Sequence, residues 1–460
     1  MRGKFSKIIL LALLALGLAV AAGCGGGDEE AAAPPPAEEP AAEPPAEPPA
    51  ETEAPPADTG GAPAEEPSGE APSGEPILIG LSTAQTGILA PYDLQASQLF
   101  EMRIKQINDA GGVLGRPIET QWIDTKSDQP QAATNAEELI GNGAVVIIAT
   151  CDFDFSFPAI QAAGAAEVPG IALCASSPKV ATPDIVGPYG GSMGLGSDAE
   201  GVAMAEWLSE NKPELKRAYI FRDDSLEYSK ATADYFEARW QELGGEICGK
   251  DTFVGGPDLD LSSQVTRLRS AVDGCDFIYD GSWQPYGSQL LRAIRDAGMD
   301  TWVVTNASVN GTLVTEVAGN NVSNFLALGF ACLPTYCEGT QTQSVVDIAD
   351  QFQAEYGEPL GNHYALPGYA LADAVVAAIE AAGSTEGPAI AEALFSGQVQ
   401  IDYFGTPMAF TENCHRPQPA GYSVEEFQNG VNTQIGTAVV QQIPDIGDGS
   451  PCSGTPPAAG

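Results

Sequence analysis

Residues 77–124, ILIGLSTAQTGILAPYDLQASQLFEMRIKQINDAGGVLGRPIETQWID, decide the fold. Ile77-Leu78-Ile79-Gly80-Leu81 is a continuous apolar run, the pattern of a strand covered on both faces. After a polar loop, Asp93 is placed to cap a helix on which Ala96, Phe100, Ile104 and Ile107 recur at spacings of four, four and three. Gly111-Gly112 ends that helix, because a left-handed position past the last turn favours glycine. Ile118–Asp124 then reads as a second strand. Strand, helix and strand in that order imply a right-handed crossover between parallel neighbours.

The same unit repeats downstream. Pro130–Ile140 reads as a helix, Ala144–Ala149 as a strand and Gly170–Cys174 as another. A glycine-dense stretch, Gly187–Gly196, interrupts the series as a flexible connection. The series then restarts with a helix near Asp198–Ser209, a strand at Ala218–Arg222, a helix at Tyr228–Leu243 and a strand at Glu246–Phe253. Helix Leu261–Val272, strand Phe277–Asp280, helix Tyr286–Ala297 and strand Trp302–Thr305 follow. The expected class is α/β: two doubly wound parallel-sheet lobes with a cleft between them. Ligands in such sheets bind outside the carboxyl ends of the strands, so two facing lobes place the site between them.

Upstream, residues 25–75 contain 13 prolines, 14 acids, no base and no aromatic residue. Such a segment buries too little to offset its chain entropy and is expected to be a disordered, extended spacer. Before it, Arg2, Lys4 and Lys7 precede the apolar run Ile8–Ala22, shorter than the ~20 residues that span a bilayer. This is a secretory signal. It ends at Ala21-Ala22-Gly23-Cys24, which resembles the bacterial lipobox and implies lipidation of Cys24 at residues 1–24. Acylation contributes roughly 0.8 kcal/mol per buried CH₂, so such a chain is held at the membrane surface.

The 62 acids against 20 bases give a net charge of −42. Phosphate backbones are held by a surplus of Lys and Arg, so nucleic acid is excluded as a partner. Eight cysteines besides Cys24 make an even set in an exported chain, which favours disulfides over free thiols. With two histidines, His363 and His415, and no Cys-x-x-Cys, a structural zinc site is not expected, nor any other metal. Eight cysteines allow 105 connectivities. Strand adjacency favours Cys151–Cys174 and Cys248–Cys275, loop proximity Cys332–Cys337, and elimination Cys414–Cys452.

Ile77–Gly87, then Ile107-Asn108-Asp109-Ala110-Gly111-Gly112-Val113-Leu114-Gly115, then Asp124 and Asp128-Gln129-Pro130 resemble the opening of the branched-chain amino-acid-binding proteins. These are type I periplasmic solute receptors of ABC importers, and the resemblance extends from Ile77 to about Gln442. It implies a two-lobe domain at 76–442 followed by a C-terminal tail at 443–460. Lobe 1 is expected at about 77–196 and 329–419 and lobe 2 at about 197–328 and 420–442, with crossings near Gly196, Gly329 and Pro419.

The resemblance also implies a pocket. A ligand carboxylate would be held by a hydroxyl and backbone N–H groups after the third and fourth strands, where Ser176 and Ser177 stand. The other hydroxyl position falls on Asp152, whose charge would repel a carboxylate. Tyr92 matches an aromatic lid, Tyr228 and Trp283 match aromatic positions of the second lobe, and Tyr364 a further pocket aromatic. The acid that pairs with an α-ammonium falls on Ala307, so Asp152 or Asp280 would have to replace it; otherwise the ligand is an amide, a polyol or a cation stacked on Trp283 and Tyr228. The plainer reading of Ser176, Ser177 and Asp152 is helix capping, that of Tyr92 a place on the rim, and that of Phe153, Phe155 and Phe157 packing.

Gly190-Gly191-Ser192-Met193-Gly194 matches the Gly-x-Ser-x-Gly elbow of hydrolases, but that turn follows a strong apolar strand. Here Pro183 and Pro188 break the preceding segment, so the chain is not expected to be an enzyme. The expected function is an extracytoplasmic, lipid-anchored receptor that takes a small polar metabolite to importer permease subunits, as a monomer without cofactor. A sensory receptor of the same fold, serving a signalling partner, is the alternative.

Overall fold

In the computed structural model, which describes residues 72–320, 322–418, 421–448, 450 and 452, the quoted stretch forms β1 (Ile77–Thr83), α1 (Ala90–Asp109) and β2 (Ile118–Asp124). The signal segment, Cys24, the spacer as far as residue 71, the crossing at Pro419 and the tail beyond Cys452 lie outside the described residues. Ile77, Ile79 and Leu81 enter one core cluster while Leu78 packs against another, so β1 has no face left for polar residues. Asn108 explains the Ile-Asn-x-Ala-Gly-Gly motif. Its side chain takes the Ile118 N–H and donates to the Ile118 carbonyl, both at 2.8 Å, fixing the end of α1 on the start of β2. Asp93 does not cap α1, which starts three residues earlier. Its carboxylate instead accepts N–H groups from two other segments.

The first sheet is completed by α2 (Gln129–Gly141), β3 (Val146–Ala149), α3 (Phe153–Ala165), β4 (Gly170–Ala172), α4 (Pro183–Val186) and β5 (Gly190–Ser192). All five strands are parallel, in the order β2-β1-β3-β4-β5. The glycine-dense stretch is thus not only a connection: its centre is the edge strand β5. Propensity opposes a strand made of Gly190-Gly191-Ser192. The packing requires it, because a Cβ at Gly191 would strike the Phe395 ring.

The second sheet takes α5 (Ser197–Asn211), β6 (Arg217–Asp223), α6 (Glu227–Glu242), β7 (Glu246–Phe253), α7 (Ser262–Ala271), β8 (Phe277–Gly281), α8 (Tyr286–Asp296), β9 (Trp302–Thr305), α9 (Leu313–Ala318) and β10 (Phe325–Gly329). Its parallel part runs β7-β6-β8-β9-β10, the same order as the first sheet. It departs from a purely parallel sheet at one edge. There β14 (Gly421–Gln428) and β15 (Val431–Val439) add an antiparallel hairpin to β10.

Between β10 and β14 the chain returns to the first sheet. Helix α10 (Gln343–Tyr356) and helix α11 (Leu366–Ala382) pack on α1, α12 (Gly387–Phe395) packs on α11, and β11 (Ile401–Tyr403), β12 (Thr406–Thr411) and β13 (Cys414–Gln418) form a small antiparallel sheet. Gly368 lets α11 lie on α1, since a Cβ there would overlap the Ala96 carbonyl. The apolar segment His363–Ala382 is long enough to span a membrane, but it is 67% buried inside this fold.

Where β5 leads into α5, the Arg416 guanidinium pairs with both carboxylate oxygens of Asp198, both residues being buried. Tyr422 adds its hydroxyl to the Leu195 and Gly196 carbonyls at 3.3 Å, so the strand entering the second sheet is tied to the one leaving the first. Removing one partner of a buried pair strands the other charge, a loss of about 3–5 kcal/mol. Four disulfides form: Cys151–Cys174, Cys248–Cys275, Cys332–Cys337 and Cys414–Cys452.

Two measurements check this. Peptide mapping without reductant should return those four linked pairs and no free thiol among the eight cysteines. Asp198→Ala should lower the unfolding free energy by about 3–5 kcal/mol in denaturant titration; a loss under about 1 kcal/mol would mean the pair is not holding the crossing.

Candidate functional site

Both sheets change winding direction beside their first strand, between β1 and β3 in one and between β6 and β8 in the other. The crevice at such a switch point is where doubly wound sheets bind ligands. The connections leaving these four strands face one another. They supply Tyr92 after β1, Asp152 after β3, Tyr228 after β6 and Trp283 after β8. These four residues, with Tyr364 and Ser308, line a small cavity of about 30 Å³ whose remaining wall is Leu89, Leu226 and the Cys151–Cys174 disulfide. That volume admits water but not an amino acid.

The two sheets are joined directly across this space. The Tyr92 hydroxyl accepts the Gln284 N–H at 3.0 Å and meets Ser308 Oγ at 2.9 Å. Asp154 Oδ2 accepts the Glu227 N–H at 2.9 Å, and Lys179 pairs with the Glu227 carboxylate at 2.6 Å. Tyr92 also stands edge-on to Tyr364 at 5.2 Å. Beside the small cavity lies a larger one of about 420 Å³ that shares Tyr92, Ser308 and Tyr364 with it and continues along Gln95, Gln284, Asn310 and Asn362.

Of the residues expected in the site, Tyr92, Asp152, Tyr228, Trp283 and Tyr364 come together. Asp152 does two things: it caps α3 through the Phe155 N–H and it faces the cavity. Burial first, and then the Asp154 charge, push its carboxyl up to about 8. Trp283 is held by its indole N–H on Ser225 Oγ at 3.0 Å, which fixes the ring against the cavity. Phe153 and Phe157 pack on each other at 5.0 Å in the core.

Ser176, Ser177 and Asp280 are not among the lining residues. Ser176 donates to the Cys174 carbonyl at 3.1 Å, and Ser177 caps a short turn through the Lys179 N–H. Asp280 is buried in β8 beside the Ser282 hydroxyl, and burial pushes it up to about 7. Ser192, the centre of the Gly-x-Ser-x-Gly string, is buried and donates to the Ala175 carbonyl at 2.6 Å. It offers no exposed hydroxyl to a substrate.

Two carboxylates escaped sequence reasoning. Asp93 accepts the Ala84 N–H at 2.7 Å and the Cys151 N–H at 2.8 Å, which are the amides after β1 and β3. A ligand carboxylate cannot use amides that the protein's own carboxylate holds. Glu200, on α5, accepts the Tyr228 hydroxyl at 2.5 Å and the Ala307 N–H at 3.0 Å, while its other oxygen is buried with no hydrogen-bond partner. Glu200 thus reaches the Ala307 backbone from a helix more than a hundred residues earlier, but it stands behind Tyr228 and is not among the lining residues. Burial pushes both Asp93 and Glu200 up to about 7. His363 completes the setting of Ala307. Its Nδ1 accepts the Phe330 N–H, so its Nε2 carries the proton toward the Ala307 carbonyl at 3.2 Å, and burial lowers its pKa to about 3. No local sequence signal marks Glu200, one of many acids; Asp93 is marked only by its place just after a strand-end loop.

Residues 76–430 match the sequence model of the periplasmic binding protein family. The Leu/Ile/Val-binding protein homolog 3 of Brucella melitensis is 25% identical over 365 residues, 77% of this chain and 92% of the relative. The leucine-, isoleucine-, valine-, threonine-, and alanine-binding protein of Pseudomonas aeruginosa is 26% identical over 321 residues, 70% and 82% of the two chains. Among solved structures, LivJ of Streptococcus pneumoniae in complex with isoleucine superposes with a TM-score of 0.67 at 21% identity, covering 79% of this chain and 99% of that one. A solute-binding protein from R. palustris in complex with benzoate gives 0.67 at 17% identity, over 80% and 98%.

The buried acids carry a pH signature. A carboxyl whose pKa is raised on folding binds its proton more tightly in the native state, so it favours folding fully below the unfolded pKa near 4 and loses that contribution as pH rises through the folded value. Stability should therefore fall from about pH 4 to about pH 8 as Asp93, Glu200 and Asp152 ionise. Melting temperature against pH should show this slope, and Asp152→Asn together with Glu200→Gln should flatten it. Parallel profiles for the two proteins would contradict the assignment.

Proposed function

Because this chain belongs to the periplasmic binding protein family and shares the fold of its branched-chain amino-acid-binding members, we propose that it is the extracytoplasmic receptor of an ABC importer, capturing a small solute between its two sheets. The observation that carries this is the meeting of two switch points. Aromatic side chains from both sheets converge on one cavity, where the sheets meet through the Tyr92 and Trp283 rings and through polar contacts of Tyr92 with Gln284 and Ser308 and of Asp154 with Glu227. Such contacts break and re-form at small cost, so a ligand that adds its own contacts shifts the equilibrium between open and closed forms.

The crossings near Gly196 and Gly329 act as the hinge, with the Asp198–Arg416 pair keeping the strands together while the lobes rotate. Lipidation at Cys24 holds the receptor at the membrane, and the acidic, proline-rich segment 25–75 gives it reach toward the permease. The chain acts as a monomer and does not make or break bonds in its ligand.

Native mass spectrometry of protein purified from its source should show a bound small molecule, and calorimetry with that molecule should give one site per chain. Trp283→Ala and Tyr228→Ala should each weaken binding at least tenfold; both rings are buried, so each variant should also melt at a lower temperature, and Tyr228→Phe, which keeps the ring, should retain more of the binding than Tyr228→Ala. Absence of binding across a broad metabolite panel, together with ester hydrolysis, would overturn the reading.

A further inference from the structure

The walls of the interlobe cavity carry one sign of charge. Asp152 faces it, and its carboxylate accepts only backbone N–H groups. Behind Tyr228 stands Glu200, with an unpartnered buried oxygen. Among the described residues, neither the small cavity nor the larger one beside it is lined by a lysine or an arginine. The nearest buried cation, Arg416, is committed to Asp198. Four aromatic rings, Tyr92, Tyr228, Trp283 and Tyr364, surround the same space. Ring faces attract cations, and a ring whose hydroxyl donates to a carboxylate, as Tyr228 does, has a more negative face. The amides that could hold a ligand carboxylate after β1 and β3 are taken by Asp93.

Resting on the receptor reading above, we propose that the ligand is a monocation without a carboxylate, its ammonium head enclosed by the four rings against Asp152. The cavity of about 30 Å³ is too small for that head. Rotation of Tyr92, held across the cleft by its contacts with Gln284 and Ser308, joins it to the cavity of about 420 Å³. There Thr312 and the unpartnered Asn362 Oδ1 offer uncharged hydrogen-bonding groups, and Glu358 is the one charged residue in the lining, so the rest of the ligand is polar and carries no negative charge.

The test compares choline with 3,3-dimethylbutan-1-ol, which has the same skeleton with carbon in place of nitrogen, by calorimetry on the purified protein. Choline should bind at least tenfold tighter than its neutral isostere. Asp152→Asn should weaken choline at least tenfold and leave the isostere within twofold, with the melting temperature of each protein reported alongside. At neutral pH the heat of choline binding should also vary with the ionisation enthalpy of the buffer, because a cation expels the proton that burial keeps on Asp152; a purely structural Asp152 would leave that heat unchanged. Equal affinity for the two probes, or leucine binding while millimolar choline does not, would overturn the inference and leave the receptor reading intact. Failure of these probes and of every member of a metabolite panel would overturn both.

Discussion

The Asp93 carboxylate, holding the Ala84 and Cys151 amides at once, is the contact on which the site depends. It ties the first turn of α1 to the ends of β1 and β3 at the point where the first sheet reverses its winding. That placement orients Tyr92, one residue before it, toward the second sheet. It also sets Asp152, one residue beyond Cys151, at the mouth of the crevice. A buried carboxyl that takes two backbone amides is costly to displace, because both amides would be left without a partner. The protein has in effect filled its own anion site and left the neighbouring space to aromatic rings and a second acid.

Around that point the architecture is one module used twice. The strand order β2-β1-β3-β4-β5 recurs as β7-β6-β8-β9-β10, so equivalent loops of the two sheets confront each other. What breaks the symmetry is the return of the chain. Helices α10 and α11 thicken the first sheet on its α1 side, whereas β14 and β15 extend the second sheet sideways. The return also brings Arg416 back to Asp198 and Tyr422 to Gly196, which makes the crossing the most tightly bonded part of the interlobe region. The contacts across the cleft are the Tyr92–Trp283 ring contact and polar links from Tyr92 and Asp154. Rigidity at the crossing and weak bridging at the mouth suit lobes that move as bodies.

Electrostatically the cleft is an unusual place to hold an amino acid. A zwitterion needs a donor for its carboxylate and an acceptor for its ammonium. The acceptors are present in Asp152 and Glu200, both held near neutrality by burial. Ser176 and Ser177, the expected donors, are turned into the local backbone. The relatives named for leucine, isoleucine and valine therefore share this chain's scaffold at about a quarter identity, while the groups facing its cavity follow their own chemistry.

The sequence by itself determined the elements that local physics controls. An unbroken apolar run of five residues fits a strand covered on both faces, a 3.6-residue period ended by paired glycines fits an amphipathic helix, and their alternation implies a parallel sheet. That a site lies in the loops at the strand ends was legible for the same reason, while the choice of Tyr92, Asp152, Tyr228 and Trp283 within them came from the resemblance to the binding-protein family. Tertiary structure alone decided the rest. Asp93 looked like a cap because capping is a local property, whereas its partners lie 9 and 58 residues away. Gly190-Gly191-Ser192 looked like a linker, but pairing with β4 makes it a strand, and its glycines fit where Val186, Ile160 and Phe395 leave no room for a Cβ. Glu200 reaches Ala307 across 107 residues of chain, a distance over which no spacing rule operates. Whether a buried acid is a cap, a clamp or a ligand group depends on which donors the fold brings within 3 Å of it, and that is a property of packing rather than of order along the chain.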